Sequence, residues 1–451
     1  MMKHVNSKEI YFRKKGNRTV RNWLGRRRSL SQFLLDLLIS LKSHKAGLYL
    51  VGGMVRDILE GVKEINDIDM MVCGIDFDDL GKVLKSLNRI KLGIKSVIQA
   101  GKHFPVYRVF VKWKSDPLDI ACARAEESTG AGHKDFKIST DSVSAYEDSG
   151  RRDFTFNSIF VRLFTSFNSL TGRLVDYRKG LIALRERNIE AVGNPKLRFE
   201  EDPLRMLRAI RQKNQRSGFS INKQTWNALI DLMPKLLHTI SDERVSAELI
   251  KSFKADLLGS FTDLAECGAL KLLLPELFEE RRFDTTLKKF IILKNETGLS
   301  VEFSLACLLS EIAFTQPEDI STIIRRLCLP NQSSLMTFLL SLISLVNIDT
   351  VEYKFAIVEE LLMDVSSVEE IILLYGIHKE VHGEKIINLP EIWNLIKSVP
   401  KLVNGNDLSK AGISPGPDMK NILRYLRDKQ LQNKIFDKEE LMKLVAVERS
   451  L

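Results

Sequence analysis

The stretch that most restricts what this chain can fold into is Leu48–Met71, LYLVGGMVRDILEGVKEINDIDMM. Its four leading apolar residues, Leu48 to Val51, read as a short buried strand. Gly52 and Gly53 break that run, and Met54–Leu59 reads as the first turns of a helix, with Arg56 and Asp57 early in it. After a polar turn, Ile65-Asn66-Asp67-Ile68-Asp69-Met70 brings alternation. Residues i and i+2 of a strand share a face, so Asp67 and Asp69 present two carboxylates roughly 7 Å apart on one side. That spacing suits one or two hard divalent cations that keep open coordination for phosphate. A bare pair of this kind is more often a polar turn entering a half-exposed strand. The strand–Gly-Gly–helix unit upstream shifts the balance. Glycines let a phosphate approach the backbone, and a helix N-terminus favours an anion. A phosphate cradle beside a cation-binding pair points to nucleotidyl transfer.

A chain of 451 residues is long enough for two to four domains. Its net charge of +10, from 68 Lys and Arg against 58 Asp and Glu, points to a polyanionic partner. Cys73, Cys122, Cys267, Cys307 and Cys328 show no CxxC spacing and read as free, mostly buried thiols of a reducing compartment. A cytoplasmic location is therefore expected. The seven histidines are scattered without an HExxH, so no zinc site is visible. Leu327–Ile348 lacks charge over 22 residues but contains Pro330, Asn331, Gln332 and several serines. A buried helix from Ser334 to Val346 is expected there, and no membrane span. Residues 1–30 hold ten Lys or Arg against one acid, Glu9. They read as a basic arm touching RNA or as a plain solvated extension, with organellar targeting a third reading.

Ser31–Lys42 has the spacing of a helix with Ser31 as its cap, and Asp78–Leu87 repeats the pattern. Phe104–Trp113 and Pro117–Cys122 read as strands. Ala125–Asp148 is polar and glycine-containing and reads as one long loop, of a length that is often functional or mobile. Arg151–Val161 and a hairpin around Ser169–Gly172, ending at Asp176, complete a mixed domain of about 130 residues. From Leu181 onward, apolar residues recur at helical spacing, for example over Leu204–Ile210, Arg244–Leu258 and Leu423–Val447. The expected fold class is thus α+β: a mixed-sheet head followed by an all-helical remainder.

Three further groups carry chemistry. Asp119, between Leu118 and Ile120, is a candidate third carboxylate if its strand lies beside the Asp67–Asp69 strand. It is equally a strand-end aspartate. Arg151 and Arg152 suit triphosphate oxygens, because a guanidinium fork binds bidentately, and Asp153 suits a ribose hydroxyl. Alone, such a knot is more often a surface salt-bridge cluster. In Glu200–Arg211, Asp202 is a natural N-cap and Pro203 a natural first helical residue. Arg205, Arg208 and Arg211 recur three apart as one basic stripe, either an exposed face or one turned to the carboxylates. Cytosine and adenine both present an amine donor beside a ring-nitrogen acceptor. Asp202 accepts and Arg205 donates, so the pair matches C or A and opposes G or U. A mismatched buried polar group costs about 1–3 kcal/mol, enough to discriminate.

In combination these segments resemble the class II tRNA nucleotidyltransferase / poly(A) polymerase family. The matching residues are LVGGMVRD with DID, LDIACAR, RRDFTFN, Asp176-Tyr177-Arg178-Lys179-Gly180 and EDPLRMLRAIR, with Asn404–Pro417 similar to the tail motif of the tRNA-repair members. The resemblance implies a polymerase-beta-like nucleotidyltransferase head followed by helical neck, body and tail. Over this chain that gives an extension and leading helix at 1–46, head 47–181, neck 182–285, body 286–400 and RNA-binding tail 401–451. It implies Mg²⁺ at Asp67 and Asp69, with Asp119 as third catalytic carboxylate. Gly52, Gly53, Arg56, Arg152, Arg208 and Arg211 are implied near the nucleotide, Asp153 near its ribose, and Asp202 with Arg205 as the base-selecting pair. The implied activity is addition of CCA to tRNA 3′ ends from CTP and ATP. Poly(A) synthesis and CC-only or A-only addition remain alternatives. No DNA and no membrane are expected as partners. The chain departs from the family after Arg211, where Gln212-Lys213-Asn214-Gln215-Arg216 replaces an apolar run, and at Met419-Lys420, where Met-Gly is common.

Overall fold

The computed structural model describes residues 7–101, 105–128, 136–139, 143–166, 169–348 and 354–445. The chain divides into two compact units, Met1–Ile240 and Ser241–Leu451, a boundary that falls within the 182–285 segment. In the first unit, α1 (Ser7–Gly25) and α2 (Arg28–Leu41) precede β1 (Gly47–Leu50), α3 (Gly53–Glu60) and β2 (Ile68–Cys73). Then come α4 (Phe77–Ser86), α5 (Arg89–Leu92), β3 (Ile94–Ala100), β4 (Val106–Val111) and β5 (Leu118–Cys122). β6 (Ala125–Ser128), β7 (Phe136–Ser139), α6 (Ala145–Gly150), β8 (Ile159–Ser166) and β9 (Ser169–Asp176) follow. The helices α7 (Gly180–Arg185), α8 (Pro195–Glu201), α9 (Leu204–Asn214) and α10 (Lys223–Leu236) close the unit.

Seven strands form one mixed sheet in the order β3-β4-β5-β2-β1-β8-β9. Within it β2 and β5 pair in parallel, which a tight turn cannot connect. The crossover is made by α4, α5 and the β3–β4 hairpin. Strand alternation sends Leu48, Leu50, Met70, Val72 and Ile120 into the core beneath the helices. Tyr49, Val51 and Met71 join Ala123, Val143 and Phe160 on the opposite face. Both faces of the central strands are thus covered, which is why Leu48–Val51 is apolar without a break.

Several expectations need correcting. Residues 7–30 do not form an arm: Ser7–Gly25 is helical and Arg28 starts a second helix, with Val20, Trp23 and Leu24 buried. Asn17 Oδ1 accepts from the Leu174 backbone N–H at 2.7 Å, satisfying the outer edge strand β9. A Cβ at Gly16 would lie 2.4 Å from Leu174 Cδ1, so glycine permits that close crossing. Residues 1–6 lie outside the described ones. Ser31 does not cap α2, which starts at Arg28; its hydroxyl donates to the Leu24 carbonyl instead. The expected loop 125–148 contains a paired hairpin, β6 with β7, and the start of α6, capped reciprocally by Ser144 and Glu147.

The second unit is helical throughout its described residues. The expected helix Arg244–Leu258 is two, because Asp256 leaves helical geometry and its side chain accepts from Gly259 N to start the next. The expected Leu423–Val447 helix breaks at Lys434, which sits at φ 51°. Helix Gln332–Val346 buries Leu335, Phe338, Leu339 and Leu342, and no helix among the described residues is long and apolar enough to cross a membrane. All five cysteines are free, and burial pushes the Cys267 and Cys307 thiols up to about 12.

A charged knot lies inside this unit. Lys289 is fully buried, and its ammonium contacts Glu311, Ser310 Oγ at 2.8 Å and His378 Nδ1 at 3.3 Å. His382 Nε2 reaches Glu311 at 3.2 Å. Donor atoms of Glu311, His378 and His382 lie within 4.8 Å of one another, but the ammonium already supplies the positive charge that a cation would bring. Burial alone would raise the Glu311 carboxyl; the His378 hydrogen bond and the Lys289 charge bring it down to about 2. Burial lowers the His378 pKa below its ordinary 6.5. Both shifts act in one direction. The stability they contribute is present above about pH 6.5, erodes as the unfolded imidazole charges below it, and is lost further as Glu311 protonates toward pH 2. Urea unfolding of the second unit is therefore expected to be flat from neutral to mildly alkaline pH and to weaken steadily under acid. Lys289→Ala, which strands a buried carboxylate, is expected to cost about 3–5 kcal/mol. A variant as stable as wild type would remove the knot from the account of stability.

Candidate active site

β1 ends at Leu50, and Val51 N still donates to the Asp69 carbonyl at 3.1 Å, which ties the Gly-Gly turn to β2. Gly52 sits at φ 77° and caps α3. A Cβ there would lie 2.9 Å from Asp69 Oδ2, so this glycine supplies both the left-handed backbone and the room for the carboxylate. Gly52→Ala is expected to cost about 1–3 kcal/mol through strain at that φ. It should also lower activity by displacing Asp69. Thermal melting and initial rates check both; unchanged values would show that the turn tolerates a side chain.

Asp119 lies directly beside Asp69 in the parallel β2–β5 register, as a third carboxylate requires. Asp67 is exposed just ahead of β2, whose first residue is Ile68. Asp69 and Asp119 feel their carboxylate neighbours. Burial, then Asp119 and Asp67, push the Asp69 carboxyl up to about 6. Burial and Asp67 also raise Asp119, against the pull of Arg108, whose Nε lies 3.6 Å from Asp119 Oδ1. That Oδ1 is a buried oxygen with no hydrogen-bond partner among the described residues. Clustered carboxylates, raised pKa values and an unsatisfied acceptor fit a site built for a hard cation with oxygen ligands.

The arginines are less free than the sequence suggests. Arg151 and Arg152 both fork onto Asp148, which is fully buried, at 2.6 and 2.9 Å. Arg152 also stacks over Phe160 at 4.6 Å. Asp153 Oδ1 accepts from Phe154 N and Asn157 Nδ2, while Oδ2 accepts from Arg208 at 2.6 Å. These partners hold the Asp153 carboxyl well below the usual carboxylate range despite its burial. Arg208 of α9 is thereby anchored to the RRDFTFN segment. Arg211, by contrast, is half-buried and bonds Gln215 on its own helix.

Arg205 is buried, and its guanidinium bonds Glu201 at 2.9 Å and the carbonyls of Arg198 and Arg151. These three bonds use three of its five N–H donors. Asp202 stands in extended backbone between α8 and α9, with its Oδ1 3.4 Å from Leu204 N. The residue at the helix cap itself is Pro203, so Asp202 lies one position further out than expected. The stripe Arg205–Arg208–Arg211 is neither a free basic face nor uniformly turned to the carboxylates: burial falls from Arg205 to the other two.

Arg56 was expected near the nucleotide, but its partners, and Arg216, went unrecognised in the sequence. Arg56 is buried and donates to Asn157 Oδ1 at 2.6 Å, to Asp57, and to Gln212 of α9. Arg216 reaches Asp57 and Glu60 at 3.5 Å. The polar departure after Arg211 thus has a purpose, since Gln212 and Arg216 match the polar flank of α3. Polar residues at both ends, Arg56-Asp57 and Gln212–Arg216, were the available signal. Asp148, buried beneath two arginines, gave none. In the Asp176–Gly180 segment, Asp176 accepts from the N–H groups of Arg178, Gly180 and Leu181. A Cβ at Gly180 would lie 2.2 Å from the Thr155 carbonyl, so this segment seals the back of the RRDFTFN turn.

Residues 48–190 match the family described as the poly A polymerase head domain, and residues 218–280 match the probable RNA and SrmB-binding site of polymerase A. A CCA-adding enzyme of Lactococcus lactis subsp. lactis is 28% identical over 417 residues, covering 88% of this chain and 92% of the relative. Among solved structures, the Thermotoga maritima CCA-adding enzyme complexed with tRNA has a TM-score of 0.66 at 24% identity, covering 92% of this chain and 94% of that one. The Bacillus stearothermophilus CCA-adding enzyme in complex with CTP has a TM-score of 0.66 at 23% identity, covering 93% and 98%. The sheet order, the helical remainder and the ordered motifs agree with these matches, and this chain belongs to the class II tRNA nucleotidyltransferase / poly(A) polymerase family.

Proposed function

We propose that this chain adds C, C and A, from CTP and ATP, to tRNA 3′ ends without a nucleic-acid template. The chemistry rests on one observation above all: Asp69 and Asp119 side by side, with a buried carboxylate oxygen that has no hydrogen bond among the described residues, next to the glycine turn. The choice of tRNA as substrate rests on end-to-end similarity to CCA-adding enzymes. In this reading Asp67 and Asp69 hold Mg²⁺, which when bound stabilises charge on the transferring phosphate as a Lewis acid. Gly52 and Gly53 leave room for phosphate at the start of α3. Asp119 orients the RNA 3′-hydroxyl and accepts its proton, and that oxygen attacks the α-phosphate as pyrophosphate leaves. Arg152, Arg208 and Arg211 face the nucleotide, Arg56 positions α9 against the glycine turn, and Asp153 faces the ribose. Asp202 and Arg205 offer an acceptor and donors that suit C and A. The neck, body and tail assignments at 182–285, 286–400 and 401–451 belong to the same reading. So does a reducing cytoplasmic setting, supported by five free cysteines.

The test uses tRNA transcripts ending at the discriminator base, at C and at CC, with each NTP alone and in pairs, followed by sequencing of product ends. CTP should extend the first two to CC, ATP should complete the third, and GTP and UTP should do neither. Long A tails would make it a poly(A) polymerase. Failure at either the C or the A step would make it a split-function enzyme.

A further inference from the structure

We propose that the α1–α2 turn holds the RNA backbone: two cavities walled by Arg26 and Arg27 bind phosphodiester groups of the substrate strand. The inference rests on the RNA-substrate reading above. The larger cavity, about 700 Å³, is lined by Trp23, Arg26, Arg27 and Lys63 among others. The smaller, about 400 Å³, is lined by Arg26, Arg27 and Arg28 and reaches Asn66 and Ile68, the neighbours of Asp67. None of these three arginines, nor Lys63, forms an ion pair among the described residues. The surrounding acids are committed elsewhere: Asp36 to Lys91, Asp116 to Lys114, and Glu60 to Arg56 and Arg216. Glu64 lines neither cavity.

A second observation points to a ligand. Trp23 is 7% exposed, and its indole Nε1–H has no hydrogen-bond partner among the described residues. A buried donor left unmatched is costly; the nitrogen is covered in this structure, so a phosphate oxygen would match it only after the cavity wall shifts. The ligand is a phosphate and not a base. Arg27 lies over the Trp23 ring at 4.2 Å while donating to the carbonyls of Trp23 and Lys63, so no ring face is open for stacking. Guanidinium and ammonium donors around a closed ring give a backbone grip without sequence preference. Exposed Lys14, Lys15, Arg18 and Arg21 extend the basic face along α1. The smaller cavity lies on the helix-covered face of β2, the face of Ile68, so the site grips RNA backbone away from the carboxylates.

The test uses the full chain, a tRNA transcript lacking its 3′ end, and filter binding over about 50–200 mM salt. Arg26→Gln/Arg28→Gln/Lys63→Gln alters exposed side chains and spares Arg27, which braces the turn; Trp23→Phe keeps an aromatic ring and removes the donor. The triple variant should bind the transcript at least tenfold more weakly. Its slope of log K against log salt should fall by about 0.7–0.9 for each phosphate no longer neutralised. Trp23→Phe should weaken binding with no change in slope. Affinity for CTP should stay at the wild-type value in both, and the melting temperature should stay at the wild-type value in the triple variant. Wild-type RNA affinity and slope in the triple variant would overturn the proposal. A parallel loss of CTP affinity would also overturn it, by assigning the cavities to the triphosphate. Wild-type protein that neither binds nor extends the transcript would overturn the substrate reading itself, a result distinct from equality of wild type and variant.

Discussion

Asp69→Ala is expected to reduce nucleotide incorporation by about 10³-fold or more, the several kcal/mol that metal-assisted charge stabilisation supplies. The structure makes this test unusually clean. Asp69 sits beside Asp119, close to Asp67, with its carboxyl pushed up to about 6 by burial and by those two neighbours. Such crowding is repulsive when no cation is bound, so removing one carboxylate relieves strain. The variant should melt at the wild-type temperature or slightly above it, and its affinity for tRNA should persist. Activity lost together with stability would point to misfolding. Normal turnover would remove Asp69 from the cation site. Asp67→Ala should behave alike with a smaller stability gain, since Asp67 is exposed.

Arg205→Ala is expected to blur the choice among nucleotides. Discrimination against GTP and UTP should fall by about 10–100-fold, corresponding to roughly 1–3 kcal/mol for a mismatched buried polar group. Incorporation of CTP and ATP should persist at reduced rate, since the carboxylates are untouched. The structure adds a second consequence. Arg205 also bonds Glu201 and the carbonyls of Arg198 and Arg151, so its loss loosens α9 from the segment that carries Arg152 and Asp153. Relative rates for the four nucleotides separate the two effects. Loosening slows all of them in proportion, whereas loss of a selecting donor changes their ratios. Unchanged ratios would sink the idea that this side chain reads the base.

Much of the head was legible because its signals are local. The unbroken apolar run Leu48–Val51, the two glycines and the alternation at Asp67–Asp69 each constrain residues within a few positions, and β1, α3 and β2 formed where they pointed. Helical periodicity likewise located the helices of the second unit, failing at Asp256 and Lys434, where backbone geometry and not hydrophobic spacing ends a helix. The long segment 125–148 was misread because polar residues and glycines look the same in a hairpin and in a loop.

The glycine turn, the strand that carries Asp69 and the helix that carries Arg205, Arg208 and Arg211 were legible along the chain, since each depends on neighbours in sequence. Only the tertiary structure decided that Asp119, fifty residues beyond Asp69, is its register partner, because parallel pairing is set by a crossover and leaves no periodic trace. It also decided which charges are spoken for. Asp148 beneath Arg151 and Arg152, Asp153 against Arg208, and the arginines of the α1–α2 turn, without an ion pair among the described residues, all depend on distance in space. Electrostatic partnership falls off with that distance and is indifferent to separation along the chain.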